Sequence, residues 1–269
     1  MLPLLARLNT SRIWGLKVGV KGNEFRPPTL DRLVALVLFR LGWMGREDFR
    51  IFRRLLRLGM TVLDIGANQG VFTLYCADLV GPGGRIIAFE PDPEMFAALR
   101  ANVKAGGKNW VELHNLAVGS EEGQLSFQAS AFNRGDNRLV AATDSADPGA
   151  KVVQVVTIDR LLEGRKADFI KMDVQGWEGA ALRGMQRLLG GPNAPVILLE
   201  LCPDVLRRAG SSVEEVAGIL HAHGYSLHTA DEHGVPLDIQ AVASLKGTFG
   251  FTDALALPPG DARRKSHGT

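Results

Sequence analysis

The run Val62-Leu-Asp-Ile-Gly-Ala-Asn-Gln-Gly-Val-Phe-Thr73 sets a buried strand, a glycine loop and the start of a helix end to end. Thr61 to Ile65 is short, apolar and bounded by Gly59 and Gly66, the texture of a strand covered on both faces. Val71 to Val80 reads as the helix that follows. The alternation then repeats. Arg85 to Phe89 is a second strand, Pro93 to Lys104 a helix with proline suited to its first turn, and Val111 to Val118 a third strand. This βαβαβ order predicts an α/β fold with a doubly wound, mostly parallel sheet. Residues 120–160 interrupt it with two antiparallel strands, Gln124 to Gln128 and Lys151 to Val156, around the polar stretch Asn133 to Gly149. It resumes with a strand over Asp168 to Asp173, a helix over Gly179 to Leu189 and a strand over Ala194 to Glu200. A helix over Val213 to His223 and hairpin-like strands over Tyr225 to Ala230 and Ala241 to Thr252 close the pattern. Upstream, helical periodicity covers residues 29–58, with Leu30, Leu33, Val34, Val37, Leu38 and Leu41 on one face.

Composition sets the outer bounds. The 269 residues are 46% hydrophobic and 22% charged, which excludes disordered and fibrous classes. The longest wholly apolar run, Leu33 to Phe39, is far short of the ~20 residues a membrane helix needs. Met1 to Arg12 lacks the apolar centre of a secretory signal. Cys76 and Cys202 give neither a disulfide framework nor metal-ligand spacing, so a reducing, cytoplasmic setting is expected. The net charge of +2 conceals an asymmetry. Residues 1–57 carry 12 Lys/Arg against 4 acids, a net of +8, which leaves −6 on the rest. Such an arm could meet nucleic acid or anionic lipid. Its arginines are scattered among apolar residues with no aromatic platform, so the simpler reading is an amphipathic cap with solvated arginines, and nucleic acid is not the expected partner.

The loop carries the first chemistry. A dinucleotide fingerprint needs glycine at its first, third and sixth positions, which here hold Gly66, Asn68 and Val71. Two of the three fail. An acid before the first glycine and a second glycine four residues later (Asp64, Gly66, Asn68, Gly70) instead fit a loop for S-adenosylmethionine, whose carboxylate meets the helix N-terminus. Glu90 ends the second strand, where an acid accepts hydrogen bonds from ribose hydroxyls. Asn115, Leu116 and Ala117 end the third strand, on the side where an adenine ring would lie, although Leu116 and Ala117 also suit plain core. Asp173 ends a buried strand over the ligand crevice, where it could meet the cofactor's amino group, the substrate hydroxyl or both. Gly176 permits the tight turn beyond it, and Glu178 falls in a first helical turn, where it is either functional or a cap.

Taken together, Val62 to Thr73, Ala88-Phe-Glu-Pro-Asp-Pro93, Asn115-Leu-Ala-Val-Gly119, Thr157-Ile-Asp159, Phe169 to Glu178 and Pro195 to Glu200 resemble the FkbM-type methyltransferases, in family order from about residue 59 to 230. The resemblance implies a class I methyltransferase, Rossmann-like fold with a seven-stranded sheet and an antiparallel end. It also implies S-adenosylmethionine as cofactor and a hydroxyl acceptor on a natural product, sugar, small molecule or lipid-linked glycan. The family's loop maps onto Asp64, Gly66, Asn68 and Gly70, its ribose acid onto Glu90, and its second acidic motif onto Asp173 and Glu178. Gln175 departs from the glutamate frequent in the family. The expected division is a basic helical cap over 1–57, a methyltransferase domain over 58–257 and a flexible tail over 258–269.

Methyl transfer to a hydroxyl needs positioning and a base. Asp173, Glu200 and His114 are the candidates, with Asp173 first and His114 read as packing. No second aspartate or His pair adjoins Asp173, so no metal is expected. The acceptor is expected to meet residues 128–150 and the cap. An RNA methyltransferase using the basic arm and a non-catalytic cofactor-binding module are the alternative classes.

Overall fold

A computed structural model describes residues 16–128, 138–141, 151–247 and 250–265. Strands β1 (Val18–Val20) and β2 (Asn23–Phe25) form an antiparallel hairpin that the sequence reading omitted. Lys21 and Gly22, both at positive φ (49° and 85°), make the two-residue turn that matches strand twist. Periodicity alone suggests one helix over 29–58, but there are two: α1 (Leu30–Leu41) and α2 (Arg46–Leu55). Gly42 and Gly45, both left-handed, stop the first and start the second. The described part of the cap is therefore a hairpin plus two helices.

The alternation that follows is β3 (Thr61–Ile65), α3 (Val71–Val80), β4 (Arg85–Phe89), α4 (Pro93–Ala105) and β5 (Val111–His114). The third strand is shorter than expected. It breaks after His114, and β6 (Ala117–Val118) joins a different sheet, because the Asn115 amide donates to the carbonyls of Glu90 and Pro91 and turns the chain. That second sheet adds β7 (Gly123–Gln128), β8 (Arg138–Ala141) and β9 (Lys151–Val156) in the order β6-β9-β7-β8. The antiparallel pairing of β7 with β9 is as expected. Then come α5 (Ile158–Leu162), β10 (Phe169–Met172), α6 (Glu178–Arg183), α7 (Gln186–Leu189), β11 (Val196–Leu201), α8 (Pro203–Arg208) and α9 (Val213–Ala222). The chain closes with β12 (Ser226–Thr229), α10 (Ile239–Ala243) and β13 (Thr252–Leu257). The strand expected over Ala241 to Thr252 is thus corrected: Asp238 caps a helical turn by accepting from Gln240 and Ala241, and the strand begins where the expected one ends. Residues 262–265 form a 3-10 turn within the expected tail.

The main sheet runs β12-β13-β11-β10-β3-β4-β5, with only β13 antiparallel to the strands beside it. This is the doubly wound α/β sheet the pattern predicts, antiparallel at one end. Its order reverses between β3 and β10, the switch point at which open α/β sheets bind ligands. On one face the cap packs against α3 and the sheet through Phe49, Phe52, Leu36 and Phe25, and Phe52 meets Phe169 edge-on at 5.9 Å. Phe72 of α3 takes Phe39, Phe49 and Phe52 edge-on, each at 5.5 Å, which fixes the cap over the switch point. Helices α6 and α9 cover the opposite face through Ala181, Leu182, Val216 and Leu220. No helix among the described residues is long and apolar enough to cross a membrane.

Candidate active site

A cavity of about 910 Å³ opens at the carboxyl ends of β3, β4, β10 and β11, roofed by α1. The size falls within the range of small-molecule sites. Its floor begins with the turn after β3. Gly66 stands at φ +88°, and a Cβ there would lie 1.9 Å from the Asp173 carbonyl oxygen, so only glycine lets β3 and β10 end this close together. Asn68 is also left-handed (φ 52°), which aims its N–H at Glu90 Oε2, 2.7 Å away. Gly70 (φ +92°) precedes α3, where a Cβ would strike Leu99. That helix has neither a side-chain cap nor an acid in its first turn, so its leading N–H groups keep their anion-binding character.

Glu90 lines the cavity although only 7% exposed, and its Oε1 accepts from the Asp92 N–H at 2.9 Å. Burial pushes its carboxyl up to about 7 against these stabilising donors. Leu116, Ala117 and Phe89 give the same wall an apolar surface. This cradle fits an S-adenosyl group. It offers an acceptor pair for a diol, an apolar slot for an aromatic ring, and backbone N–H groups for a carboxylate.

Asp64 lies beneath the loop rather than in the cavity lining. It accepts from Thr73 Oγ1 at 2.5 Å, and its other oxygen lies 3.9 Å from Lys171 Nζ. Lys171 escaped the sequence reading and is the centre of the site. Strand register sets it beside Asp64. Its Nζ donates to the Gly66 carbonyl at 3.2 Å, lies 3.6 Å from Asp173 Oδ2 and sits 5.5 Å from the Phe72 ring centre. Burial pulls its pKa down, but Asp173, Asp64, Asp48 and Glu200 outweigh it and hold the ammonium above the ordinary lysine value. One signal existed in the sequence: a lysine inside an otherwise apolar strand is rarely buried without charged partners.

Asp173 and Glu200 follow registered residues of β10 and β11, and Glu200 pairs with Asp253 of β13, so three carboxylates lie side by side across the sheet end. Asp48 of α2 adds a fourth from the cap. Desolvation raises Asp48 to about 6, Asp253 to about 7 and Glu200 to about 9, with neighbouring carboxylates adding to each rise. Gln175, itself left-handed, donates through Nε2 to Asp173 Oδ1 at 2.7 Å and to Glu200 Oε1 at 3.3 Å. Asp48 and Asp253 were invisible in the sequence, because cross-strand register and the cap's docking bring them here.

Glu178 suits either a functional acid or a helix cap by its sequence position. It is buried outside the cavity lining, and its Oε1 accepts from the N–H groups of Val174 and Gly176. It holds the turn that presents Asp173 and Gln175. His114 also lies outside the lining, stacked on Phe89 at 5.2 Å and bonded to Glu112 at 2.8 Å. The cap reaches the loop directly: Arg32 donates to Asn68 Oδ1, and Gln69 donates to the Arg32 carbonyl, both at 3.4 Å. Residues 129–137 and 142–150, most of the stretch expected to meet an acceptor, lie outside the described residues.

A pH dependence follows from six of the buried acids. Asp48, Asp64, Glu90, Glu178, Glu200 and Asp253 are each raised by burial above the unfolded pKa, so the contribution of each to stability is complete below the unfolded value and is lost as pH rises through the folded one. For Glu90 that window runs from 4.5 to about 7 and corresponds to about 3 kcal/mol. The ligand-free protein should therefore melt highest near pH 5 and lower by several degrees at pH 9. A scanning-fluorimetry series that rises from pH 5 to 9 would refute the burial of these acids.

Residues 64–227 match the profile of the methyltransferase FkbM domain. The hexuronic acid methyltransferase AglP of Haloferax volcanii is 26% identical over 137 residues, covering 50% of this chain and 53% of the relative. The 31-O-demethyl-FK506 methyltransferase FkbM of Streptomyces tacrolimicus is 57% identical over 47 residues, 18% of each chain. The matches thus span about half or less of these relatives. Among solved structures, an rRNA-methylase-like protein of Clostridium thermocellum aligns with a TM-score of 0.49 at 10% identity, over 79% of this chain and 94% of that one.

Proposed function

Because the chain belongs to the FkbM family of S-adenosylmethionine-dependent methyltransferases, we propose that it methylates a hydroxyl of a small molecule or glycan, with Asp173 as the general base. When bound, the cofactor supplies an electrophilic methyl group on a sulfonium whose departure is already favourable. The chain's own work is then to bind, orient and take a proton. In this reading the uncapped N–H groups at the start of α3 hold the methionine carboxylate. Glu90 accepts from the ribose hydroxyls, and Phe89, Leu116 and Ala117 flank the adenine. Asp64 acts from below by anchoring Lys171 under the loop.

The observation that carries the proposal is the setting of Asp173. Its carboxylate lines the cavity, partly exposed, and is gripped by the Gln175 amide and the nearby Lys171 ammonium. It can thus meet an acceptor hydroxyl while the Gln175 amide fixes its orientation. Glu200, raised to about 9, keeps its proton at neutral pH and serves as a donor rather than as the base. The name of the Haloferax relative favours a sugar acceptor. The buried thiols Cys76 and Cys202 suit a reducing cytoplasm.

The direct test is transfer of a labelled methyl group to a panel of hydroxylated acceptors. No transfer to any hydroxyl, with transfer to an amine or thiol instead, would overturn the O-methyl assignment. For the ribose contact, Glu90→Ala should weaken cofactor binding at least tenfold by calorimetry, the loss of one or two charge-assisted hydrogen bonds. An unchanged dissociation constant would remove Glu90 from the site.

A further inference from the structure

Most of the positive charge of the first 57 residues has no part in the chemistry above, and among the described residues four of its arginines lie on the outer surface of α2. Helix α1 is apolar almost all round, a pattern that normally marks a helix buried on every side. Here Leu36 is its one fully buried apolar residue, while one flank lines the cavity through Ala35 and Leu38. A third stripe, Val34, Val37 and Leu41, spaced i, i+3 and i+7, faces outward and is exposed. It runs into the corner between the helices, where Trp43 is 78% exposed and Met44 is exposed beside it. Immediately after the corner, α2 turns Phe49, Ile51, Phe52 and Leu55 inward and presents Arg46, Arg50, Arg53 and Arg54 outward. Of its two acids, Glu47 is paired with Arg50 at 2.7 Å, and Asp48 belongs to the carboxylate group of the active site. Leu58, 79% exposed, follows α2.

We propose that this face, the outer stripe of α1 with Trp43 and the arginines of α2, seats the protein on an anionic membrane surface. An aliphatic stripe bordered by an indole and by arginines is the composition that enters the headgroup boundary: apolar side chains insert, the indole sits at the interface, and the guanidiniums meet lipid phosphates. Charge sets the orientation. The net +8 of residues 1–57 is drawn to the surface, and the net −6 of the remainder is held away from it. A phosphate-lined nucleic acid would leave Val34, Val37 and Leu41 without a role. A symmetric pairing of two copies through this face would bring one arginine-rich helix against another. Val34 and Met44 belong to both the exposed face and the cavity lining, so the docked protein holds its cavity mouth at the bilayer.

Co-sedimentation of the full chain with phosphatidylcholine vesicles, with and without about 30 mol% phosphatidylglycerol, tests this. The protein should sediment with the anionic vesicles, not with the neutral ones, and less as salt rises. The double variant Leu41→Ser, Trp43→Ser should reduce partitioning at least tenfold. Arg50→Gln with Arg53→Gln should reduce it about fivefold per arginine. All four positions are exposed, and unchanged melting temperatures confirm that the variants fold. Failure to bind anionic vesicles would overturn the proposal, as would binding that both variants leave intact. So would light scattering that shows a dimer broken by the Leu41/Trp43 variant, or RNA binding lost in the arginine variant while vesicles are ignored.

Discussion

Asp173→Asn should lower turnover by roughly 10²–10⁴-fold, the usual contribution of a positioned general base, while cofactor affinity stays within a few-fold. The substitution is nearly isosteric and leaves the backbone of Asp173 in place, including the carbonyl that packs against Gly66 and the N–H that donates to the Ile65 carbonyl at 3.0 Å. The glycine loop is therefore undisturbed. An asparagine can still meet Gln175, but it cannot accept the acceptor's proton and no longer balances Lys171. Single-turnover rates separate these contributions from product release. Raising the pH should recover part of the loss, because a hydroxyl that ionises by itself has less need of a base. Undiminished turnover would transfer the role of base to another group. Glu200 would then be next, but only at alkaline pH, since its carboxyl is held near 9.

Lys171→Met should destabilise the protein by about 3–5 kcal/mol, the usual consequence of removing one partner from a buried charge group. For a chain of this size that is roughly 6–20 °C in melting temperature. The reason is the company Lys171 keeps. Asp64 is 1% exposed, and among the described residues the Thr73 hydroxyl and this ammonium are what offset its burial. Asp48 and Asp173 draw on the same positive charge. Without it, the carboxylates must take up protons or repel one another, and the Gly66 carbonyl loses its donor. The added substitution Asp64→Asn should recover a large part of the lost stability, because the worst-buried negative charge is then gone. A melting temperature unchanged in Lys171→Met, or a double variant no more stable than the single one, would show that Lys171 does not neutralise the cluster.

What the sequence revealed and what it hid divide along a physical line. The glycine loop, Glu90 and Asp173 sit at strand ends in contiguous motifs, and the parallel alternation of strands and helices fixes where such ends converge. They were legible for that reason. Lys171 lies inside a legible strand without a legible role, because its partners come from β3, β11 and the cap, and only register and docking bring them together. Asp253 lies in a strand placed too early in the sequence, so its pairing with Glu200 could not be read. Glu178 is a different case. Its position after a tight turn suits a catalytic acid and a cap equally, and only the fold shows it buried with two backbone donors on its carboxylate. The hairpin at Lys21-Gly22 and the break at Gly42 to Gly45 turn on positive φ angles, which apolar periodicity does not register.

Calorimetric titration of the full chain with S-adenosylmethionine tests the central claim most directly, because every role assigned above depends on the crevice between β3 and β10 holding that cofactor. One saturable site per chain is expected, with binding weakened at least tenfold in Glu90→Ala and nearly preserved in Asp173→Asn. A folded protein that shows no saturable binding, or one whose binding is indifferent to Glu90, would contradict the account.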